Sequence, residues 1–153
     1  MANKPDIELI HLTKRYGNAV AVDAIHLKIP AGSYCCLLGP SGCGKTTTLR
    51  MIAGFMPPST GSIEMDGQQI SSPGNVVPPE RRRMSMIFQS YAIWPNMTVG
   101  ENVGFKLYEE TDMPLADVRA RVEEVLGFVE LGPYIDRKPS ELSGGQRQRV
   151  AIA

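Results

Sequence analysis

The sequence predicts an α/β fold that starts with antiparallel β-strands, continues through a strand, a glycine-rich loop and a helix, and ends in a mostly helical part. Three observations predict it. Apolar and polar residues alternate near the amino end, an apolar run leads into a glycine-rich segment, and apolar residues recur at helical spacing after Gly100. With 42% hydrophobic and 21% charged residues among 153, the chain has the composition of a globular domain with its own core.

The charge balance argues against two classes of partner. Lys plus Arg and Asp plus Glu both total 16, so the formal net charge is zero and nothing favours nucleic acid or an anionic bilayer. The amino end lacks the build of a signal peptide, and no run of about 18 apolar residues occurs. We therefore expect a cytosolic chain whose membrane contact, if any, comes through a protein partner.

Two amino-terminal segments, 7–12 and 24–29, alternate as half-buried strands do and should pair antiparallel around a turn near Gly17. Further along, residues 62–65 predict a short strand and 84–88 a strand of the main sheet. Between them, residues 71–80 are rich in proline and predict a loop.

The run 34–38 is apolar without alternation, which is typical of a strand buried on both faces. Within it, Cys35 and Cys36 should point to opposite faces, and the odd cysteine count indicates free thiols. From Lys45 to Ala53 the sequence predicts a helix with Leu49, Ile52 and Ala53 on one side.

The later part of the chain is predicted to be helical, most clearly at 116–131, where Val118, Val122 and Leu126 recur at helical spacing. We place a β part with the glycine loop at about 1–90 and a helical part at about 91–142. The start of a last helix follows at 143–153.

The glycine-rich loop carries the chemistry. It fits G-x-x-x-x-G-K-[ST] between a predicted strand and a predicted helix, as a phosphate-binding loop requires. Backbone amides, the positive helix end and one ammonium group can hold ATP phosphates, with Lys45 on the outer phosphates and Thr46 on Mg²⁺. The alternative is a glycine-rich turn with an incidental lysine. The predicted nucleotide-binding residues here are Gly39, Pro40, Ser41, Gly42, Cys43, Gly44, Lys45, Thr46 and Thr47.

The loop alone leaves kinases, GTPases and motor ATPases open, but a second motif narrows the choice. Leu142-Ser143-Gly144-Gly145-Gln146, with the phosphate loop, resembles the ATP-binding cassette (ABC) transporter subunits, whose signature motif it matches. Physically, Ser143 can cap the next helix, and Gly144 and Gly145 leave backbone amides bare, which makes a second anion site on one chain. A Ser-capped helix after a glycine turn is the plainer alternative.

The resemblance implies a fold and a function. The fold is a P-loop NTPase core with an N-terminal antiparallel β subdomain and a helical subdomain, incomplete at the C-terminus. The function is an energy-coupling ATPase subunit that binds ATP and Mg²⁺. The implied partners are transmembrane permease subunits, a second ATP-binding subunit in a head-to-tail dimer and, indirectly, an extracytoplasmic solute-binding protein, at the cytoplasmic face of the cell membrane. Nucleic acid is not among them.

The resemblance also assigns single residues. Tyr16 stands where the family has an aromatic that stacks on adenine, although a tyrosine near a turn is uninformative by itself. Gln89 matches the family's Q-loop, where an amide touches Mg²⁺ and the attacking water, although it could be a polar strand-end residue. With Lys45, Gln89 is the catalytic candidate, and Gln146 joins the nucleotide-binding set.

Two segments leave alternatives open. Trp94 and Met97 beside a proline form either a socket for a membrane partner's short helix or part of the local core. Arg81, Arg82 and Arg83 are interpreted as a solvated loop face.

The chain resembles ATPases of bacterial importers for ferric iron, polyamines, sugars or phosphonates, and the motifs do not select the solute. The family's catalytic glutamate and switch histidine have no counterpart here, so we expect a fragment of a longer ATPase with little or no hydrolysis of its own. A nonhydrolytic nucleotide-binding module is the alternative function. A small-molecule kinase is disfavoured by the signature at 142–146.

Overall fold

A computed structural model describes residues 6–110 and 112–153. The chain divides into two compact units, Met1–Met86 and Ile87–Ala153. The first holds an antiparallel sheet and the phosphate-loop helix, and the second is helical.

The sheet of the first unit has five strands in the order β2-β1-β3-β4-β5, and all neighbouring strands are antiparallel. The predicted antiparallel pair near the amino end is confirmed, since Ile7 lies opposite Ile29 and Tyr16 opposite Ala19 across the turn. The short strand predicted at 62–65 is also confirmed, within β3. The strands are β1 Ile7–Tyr16, β2 Ala19–Ile29, β3 Thr60–Met65, β4 Gln68–Ser72 and β5 Asn75–Val76.

The core of the first unit lies between one face of this sheet and helix α1, Lys45–Ile52. Its buried members are Leu9, Leu12, Val22, Met51, Ile52, Ile63 and Ile70. The predicted helix is confirmed, and it ends at Ile52, just before Gly54, whose φ of 87° lies in the left-handed region that favours glycine. Its predicted apolar side is partly wrong, because Leu49 is half exposed while Thr48 and Met51 face the core.

Two predicted strands are wrong. Residues 34–38 and 84–88 have no strand assignment, and Tyr34 and Leu38 are 96% and 88% exposed. An apolar run becomes a strand only where another strand pairs with its amides and carbonyls. Within the described residues no strand pairs with either segment. Cys35 and Cys36 are therefore not on opposite faces of a strand, and both thiols are free and exposed.

The proline-rich segment 71–80 is more ordered than predicted. It contains the end of β4 and a hairpin to β5, where Ser71 lies opposite Val76. A 3₁₀ turn over Pro79–Arg81 follows. Pro79 suits the start of that turn because its missing N–H would have no partner there.

The second unit packs three helices, α2 Val99–Glu110, α3 Leu115–Phe128 and α4 Gly144–Ile152. The predicted helical spacing is confirmed in α3, although the helix ends three residues before the predicted Leu131. Two 3₁₀ turns, Gly132–Tyr134 and Pro139–Glu141, connect α3 to α4. The buried core consists of Val99, Val118, Val122, Leu126, Leu131, Leu142 and Val150.

None of the helices in the described part of the chain is long and apolar enough to cross a bilayer.

Candidate functional site

The phosphate loop closes tightly because of its glycines. Gly42 and Gly44 have φ values of 83° and 91°, which an L side chain adopts only with strain. A Cβ on Gly44 would also collide with the carbonyl oxygen of Ala21 in β2 and lie 3.0 Å from a methyl group of Val22. Glycine at position 44 therefore lets the start of α1 sit directly against β2.

Lys45, the first residue of α1, turns its ammonium group back onto the loop. Nζ donates to the carbonyl oxygens of Gly39 and Pro40, each at 2.7 Å, and lies 3.5 Å from Sγ of Cys43. An ammonium has three donors, and all three face the loop. The positive charge thus lies where phosphate oxygens held by the loop amides would meet it.

The amino-terminal end of α1 is electropositive. The first amides of a helix have no acceptor within it, and the first turn of α1 contains no acidic residue to compete for them. Thr48 stabilises the helix, since its amide and its hydroxyl both donate to the Gly44 carbonyl. Thr46 is exposed in the first turn and offers a hydroxyl oxygen, the ligand type that Mg²⁺ prefers.

A groove of about 440 Å³ runs between β2 and the loop. This volume is in the range of about 300–1,000 Å³ that is usual for small-molecule sites. Its loop side is formed by Gly42, Cys43, Gly44 and Lys45, and apolar side chains of β2 form the other side. The residues therefore fit a nucleotide: amides and one cation for the phosphates, and apolar surface beside them.

Tyr16 ends β1 at the hairpin turn, 51% exposed. Its hydroxyl donates to Sδ of Met56 at 3.3 Å, and the ammonium of Lys14 lies 5.5 Å from the ring centroid. Across the hairpin, Tyr16 lies opposite Ala19, next to Val20, which lines the groove. The first unit therefore brings Tyr16 to the same end of the sheet as the loop.

The second predicted anion site, in the helical unit, is built on a capping box. The hydroxyl of Ser143 accepts from the amide of Gln146 at 3.3 Å, and the Gln146 side chain accepts from the amide of Ser143 at 2.8 Å. The predicted cap is confirmed. The side chain of Gln146 is thus committed to its own helix, while a Cβ on Gly145 would meet nothing within 4 Å.

Gln89 lies in the same unit as the signature, in an exposed turn closed by a hydrogen bond from the amide of Tyr91 to the carbonyl of Phe88. The Tyr91 hydroxyl approaches Gly144, at 3.4 Å from the position of a Cβ there, and the Arg147 guanidinium lies 5.8 Å from the Tyr91 ring centroid. The turn that carries Gln89 therefore contacts the signature helix through Tyr91.

Comparison with known proteins identifies the family. A family model described as "ABC transporter" matches residues 22–153, which include both glycine motifs. This chain belongs to the ABC transporter family. Its resemblance to that family, inferred from the loop and the signature, is therefore confirmed.

The named relatives of this family member are longer importer subunits. It is 51% identical over 147 residues to the "Spermidine/putrescine import ATP-binding protein PotA" of Nitrosomonas europaea, covering 96% of this chain and 39% of that protein. It is 45% identical over 153 residues to the "Fe(3+) ions import ATP-binding protein FbpC" of Photorhabdus laumondii, covering 100% of this chain and 42% of that protein. The chain thus spans about two fifths of the length of these relatives.

Solved ABC cassettes have the same fold. The dimeric structure of MJ0796, a bacterial ABC transporter cassette, superposes with a TM-score of 0.79 at 33% identity, covering 95% of this chain and 67% of that one. A post-hydrolysis state of MJ0796 bound to ADP and Pi gives a TM-score of 0.78 at 31% identity, with the same coverage. The predicted cassette fold is confirmed at this level, apart from the two strands corrected above.

One buried residue of the first unit of this ABC chain was not predicted from the sequence. Arg82 was interpreted as part of a solvated face, but it is wholly buried, whereas Arg81 and Arg83 are exposed. The interpretation was wrong for Arg82 because its acceptors are carbonyls of segments distant in sequence. No local signal separates the middle arginine from its neighbours.

Trp94 combines features of the two predicted roles, the socket for a partner's helix and a part of the local core. It is 54% exposed, with its ring centroid 6.1 Å from that of Phe105, and its amide and carbonyl both bond the Asn102 side chain. Beside it, a groove of about 470 Å³ follows α2 and α3. The groove is lined by Met97, Glu101, Phe105, Tyr108, Glu109, Leu115 and Arg119.

Proposed function

We propose that this chain forms the ATP-binding part of an energy-coupling ATPase subunit of an ABC transporter. The main support for this proposal is the phosphate loop at the start of α1, where the Lys45 ammonium lies 2.7 Å from two loop carbonyl oxygens. Family membership and the names of the import ATP-binding relatives support ATP as the nucleotide. Mg²⁺ is the usual companion of ATP phosphates, and the exposed Thr46 hydroxyl at the start of α1 is its proposed protein ligand.

Calorimetric titration with Mg-ATP tests this assignment. Lys45→Ala removes one charge-assisted contact and should weaken Mg-ATP binding about ten- to a hundredfold. Lys28→Ala is the matched control, since Lys28 is an exposed lysine on the same sheet, facing Asp6 and Glu8. A wild-type chain without measurable affinity, or equal affinity in the two variants, would contradict the assignment.

The second part of the proposal is a head-to-tail dimer. Helices α1 and α4, which belong to different units, both start without an acidic residue in the first turn. In the proposed dimer, the signature of one copy, through Ser143, Gly144 and Gly145, meets the phosphates held by the loop of the other. The MJ0796 cassette was solved as a dimer, which supports dimerisation of this chain.

Gly145→Asp provides a sharp test of the dimer. A carboxylate in the first turn of α4 favours the helix dipole, and a side chain there has open space, so the fold should be kept. The same carboxylate would repel the ATP phosphates that are bound to the loop of the second copy. Sedimentation of wild type should show a dimer that depends on Mg-ATP, and the variant should remain monomeric. Gly127→Asp, at another glycine with open space, is the control.

We further propose transmembrane permease subunits as direct partners at the cytoplasmic face of the membrane, and an extracytoplasmic solute-binding protein as an indirect one. The exposed Trp94 and the groove that begins at Met97 offer an apolar socket with a charged rim for a short helix of the permease. Met97→Glu should weaken co-purification with the membrane subunits. Glu64→Gln, on the β-sheet, should leave it unchanged.

A further inference from the structure

Arg82 combines full burial with a full positive charge. It is 0% exposed, and it is the one charged residue among the buried side chains that the structure describes. Removal from water lowers the pKa of its guanidinium. A buried charge is costly unless its donors are satisfied, so the contacts of Arg82 must offset that cost.

Four hydrogen bonds hold this guanidinium, and every acceptor is a backbone carbonyl. Nη1 donates to Ile52 at 2.6 Å and to Met51 at 3.1 Å, both in the last turn of α1. Nη2 donates to Ile70 of β4 at 3.0 Å, and Nε donates to Val77 at 2.6 Å. One planar group therefore ties the end of α1 to β4 and to the segment after β5.

The carboxyl-terminal end of α1 favours a cation. The last carbonyls of a helix lack intrahelical donors, and a positive charge there complements the helix dipole. Gly54 follows the helix with φ 87°, and a Cβ on it would lie 2.9 Å from Cζ of Arg82. The glycine thus both turns the chain and leaves the space that the guanidinium fills.

The opposite end of α1 is the phosphate loop. Toward that end Thr48 is buried and Gly44 lies against β2, whereas Met51, Ile52 and the Arg82 contacts all belong to the last turns. Eight residues of helix are about 12 Å long, so a tilt of about 5° at the clamped end moves the loop by about 1 Å. Binding sites tolerate misplacement of only about 0.5 Å.

We propose that Arg82 is a positioning residue for the phosphate loop: by clamping the carboxyl end of α1 to the sheet, it sets the direction of the helix and hence the placement of the loop amides and Lys45. This inference rests on the proposed ATP-binding function. It extends that function to Arg82, which contacts the end of α1 opposite the phosphate loop. Its neighbours Arg81 and Arg83 are exposed and receive no such role.

Chemical rescue separates positioning from general support of the fold. Arg82→Ala leaves a guanidinium-sized space beside four carbonyls, and Mg-ATP affinity measured by calorimetry should fall at least about tenfold. Guanidinium chloride at about 20 mM, far below the molar concentrations that unfold proteins, should restore most of that affinity. Equimolar NaCl should not. Arg81→Ala, at the exposed neighbour, should bind as wild type does.

The outcomes are distinct. Absence of Mg-ATP binding by wild type would overturn the proposed function and this inference with it. Binding by wild type with unchanged affinity in folded Arg82→Ala, or a loss that guanidinium does not restore, would overturn the inference alone. If Arg82→Ala does not fold, Arg82→Lys decides: a lysine cannot serve four carbonyls, so its affinity should fall severalfold without rescue. Wild-type affinity in Arg82→Lys would overturn the inference.

Discussion

At the scale of single residues, Cys43 and Lys45 share the interior of the phosphate loop. The thiol lies 3.5 Å from the ammonium and 2.7 Å from the position of a Cβ on Gly39, yet it remains exposed. A substituent on this sulfur would therefore occupy the space where loop amides and the ammonium converge. Serine at position 43 would be nearly the same size and could not be alkylated.

Alkylation of Cys43 should block Mg-ATP binding. In a Cys35→Ser/Cys36→Ser background, which removes the other two exposed thiols, N-ethylmaleimide should abolish the calorimetric signal for Mg-ATP. The physical reason is steric, since the adduct is larger than the space between the loop backbone and the ammonium. Adding Cys43→Ser should make binding resistant to the reagent. Full affinity after complete alkylation of Cys43 would refute the loop placement.

The residue scale also marks the limit of sequence analysis. The tight turn around Gly39 and Gly44 and the approach of Lys45 to it could be predicted because all three residues lie in one short segment, and Nζ of Lys45 donates to the Gly39 carbonyl. Arg82 could not, because its burial depends on carbonyls at Met51 and Ile70 that only the folded sheet brings together.

At the scale of elements, two helix starts of the second unit, those of α2 and α4, carry reciprocal caps. Thr98 and Glu101 form one at α2: the Glu101 carboxylate accepts from the Thr98 amide at 2.6 Å, and the Thr98 hydroxyl accepts from the Glu101 amide at 3.1 Å. The backbone hydrogen bond from Thr98, then its side-chain hydrogen bond, and the nearby Lys138 charge lower the pKa of Glu101, against a smaller opposing effect of burial.

This cap should make stability depend on pH. Because the folded chain binds the Glu101 proton more weakly than the unfolded chain, the contribution is complete above the ordinary pKa of 4.5 and is lost as pH falls through the lowered pKa. Glu101→Gln, which keeps an acceptor but does not titrate, should show a shallower loss of unfolding free energy between about pH 6 and about pH 3 in urea titrations. Parallel profiles for both proteins would contradict the prediction.

The cap of α4 gives a second test at this scale. Ser143→Ala leaves the amide of Gln146 without its acceptor and should lower the free energy of unfolding of the helical unit by about 0.5–2 kcal/mol. Urea unfolding followed by circular dichroism measures the change. Ser140→Ala, at an exposed serine of the preceding 3₁₀ turn, is the control and should be near neutral. Equal effects of the two substitutions would argue against the cap.

Elements differ in how far the sequence determines them. Helices α1 and α3 and the β1–β2 hairpin could be predicted because their apolar periodicity and their turns are local. The runs 34–38 and 84–88 are equally apolar, but a strand of a buried sheet requires a partner strand, and no described segment pairs with them. Apolar composition alone therefore does not determine a strand.

At the scale of the whole molecule, the described residues form two buried apolar clusters that share no residue. One packs α1 against the sheet around Leu9, Met51 and Ile63, and the other packs α2, α3 and α4 around Leu126. The phosphate loop belongs to the first unit, and Gln89 and the signature belong to the second. Local stability in such a chain should follow the unit in which a contact lies.

Core truncations should therefore act unit by unit. Leu126→Ala deletes a fully buried side chain of the helical core and should cost about 2–5 kcal/mol there. Amide hydrogen exchange followed by mass spectrometry should show lost protection in α2, α3 and α4, with the strands β1 and β3 nearly unchanged. Ile63→Ala, equally buried in the sheet unit, is the matched control and should reverse the pattern. Loss of protection across both units from either single substitution would mean that the two cores unfold as one cooperative body.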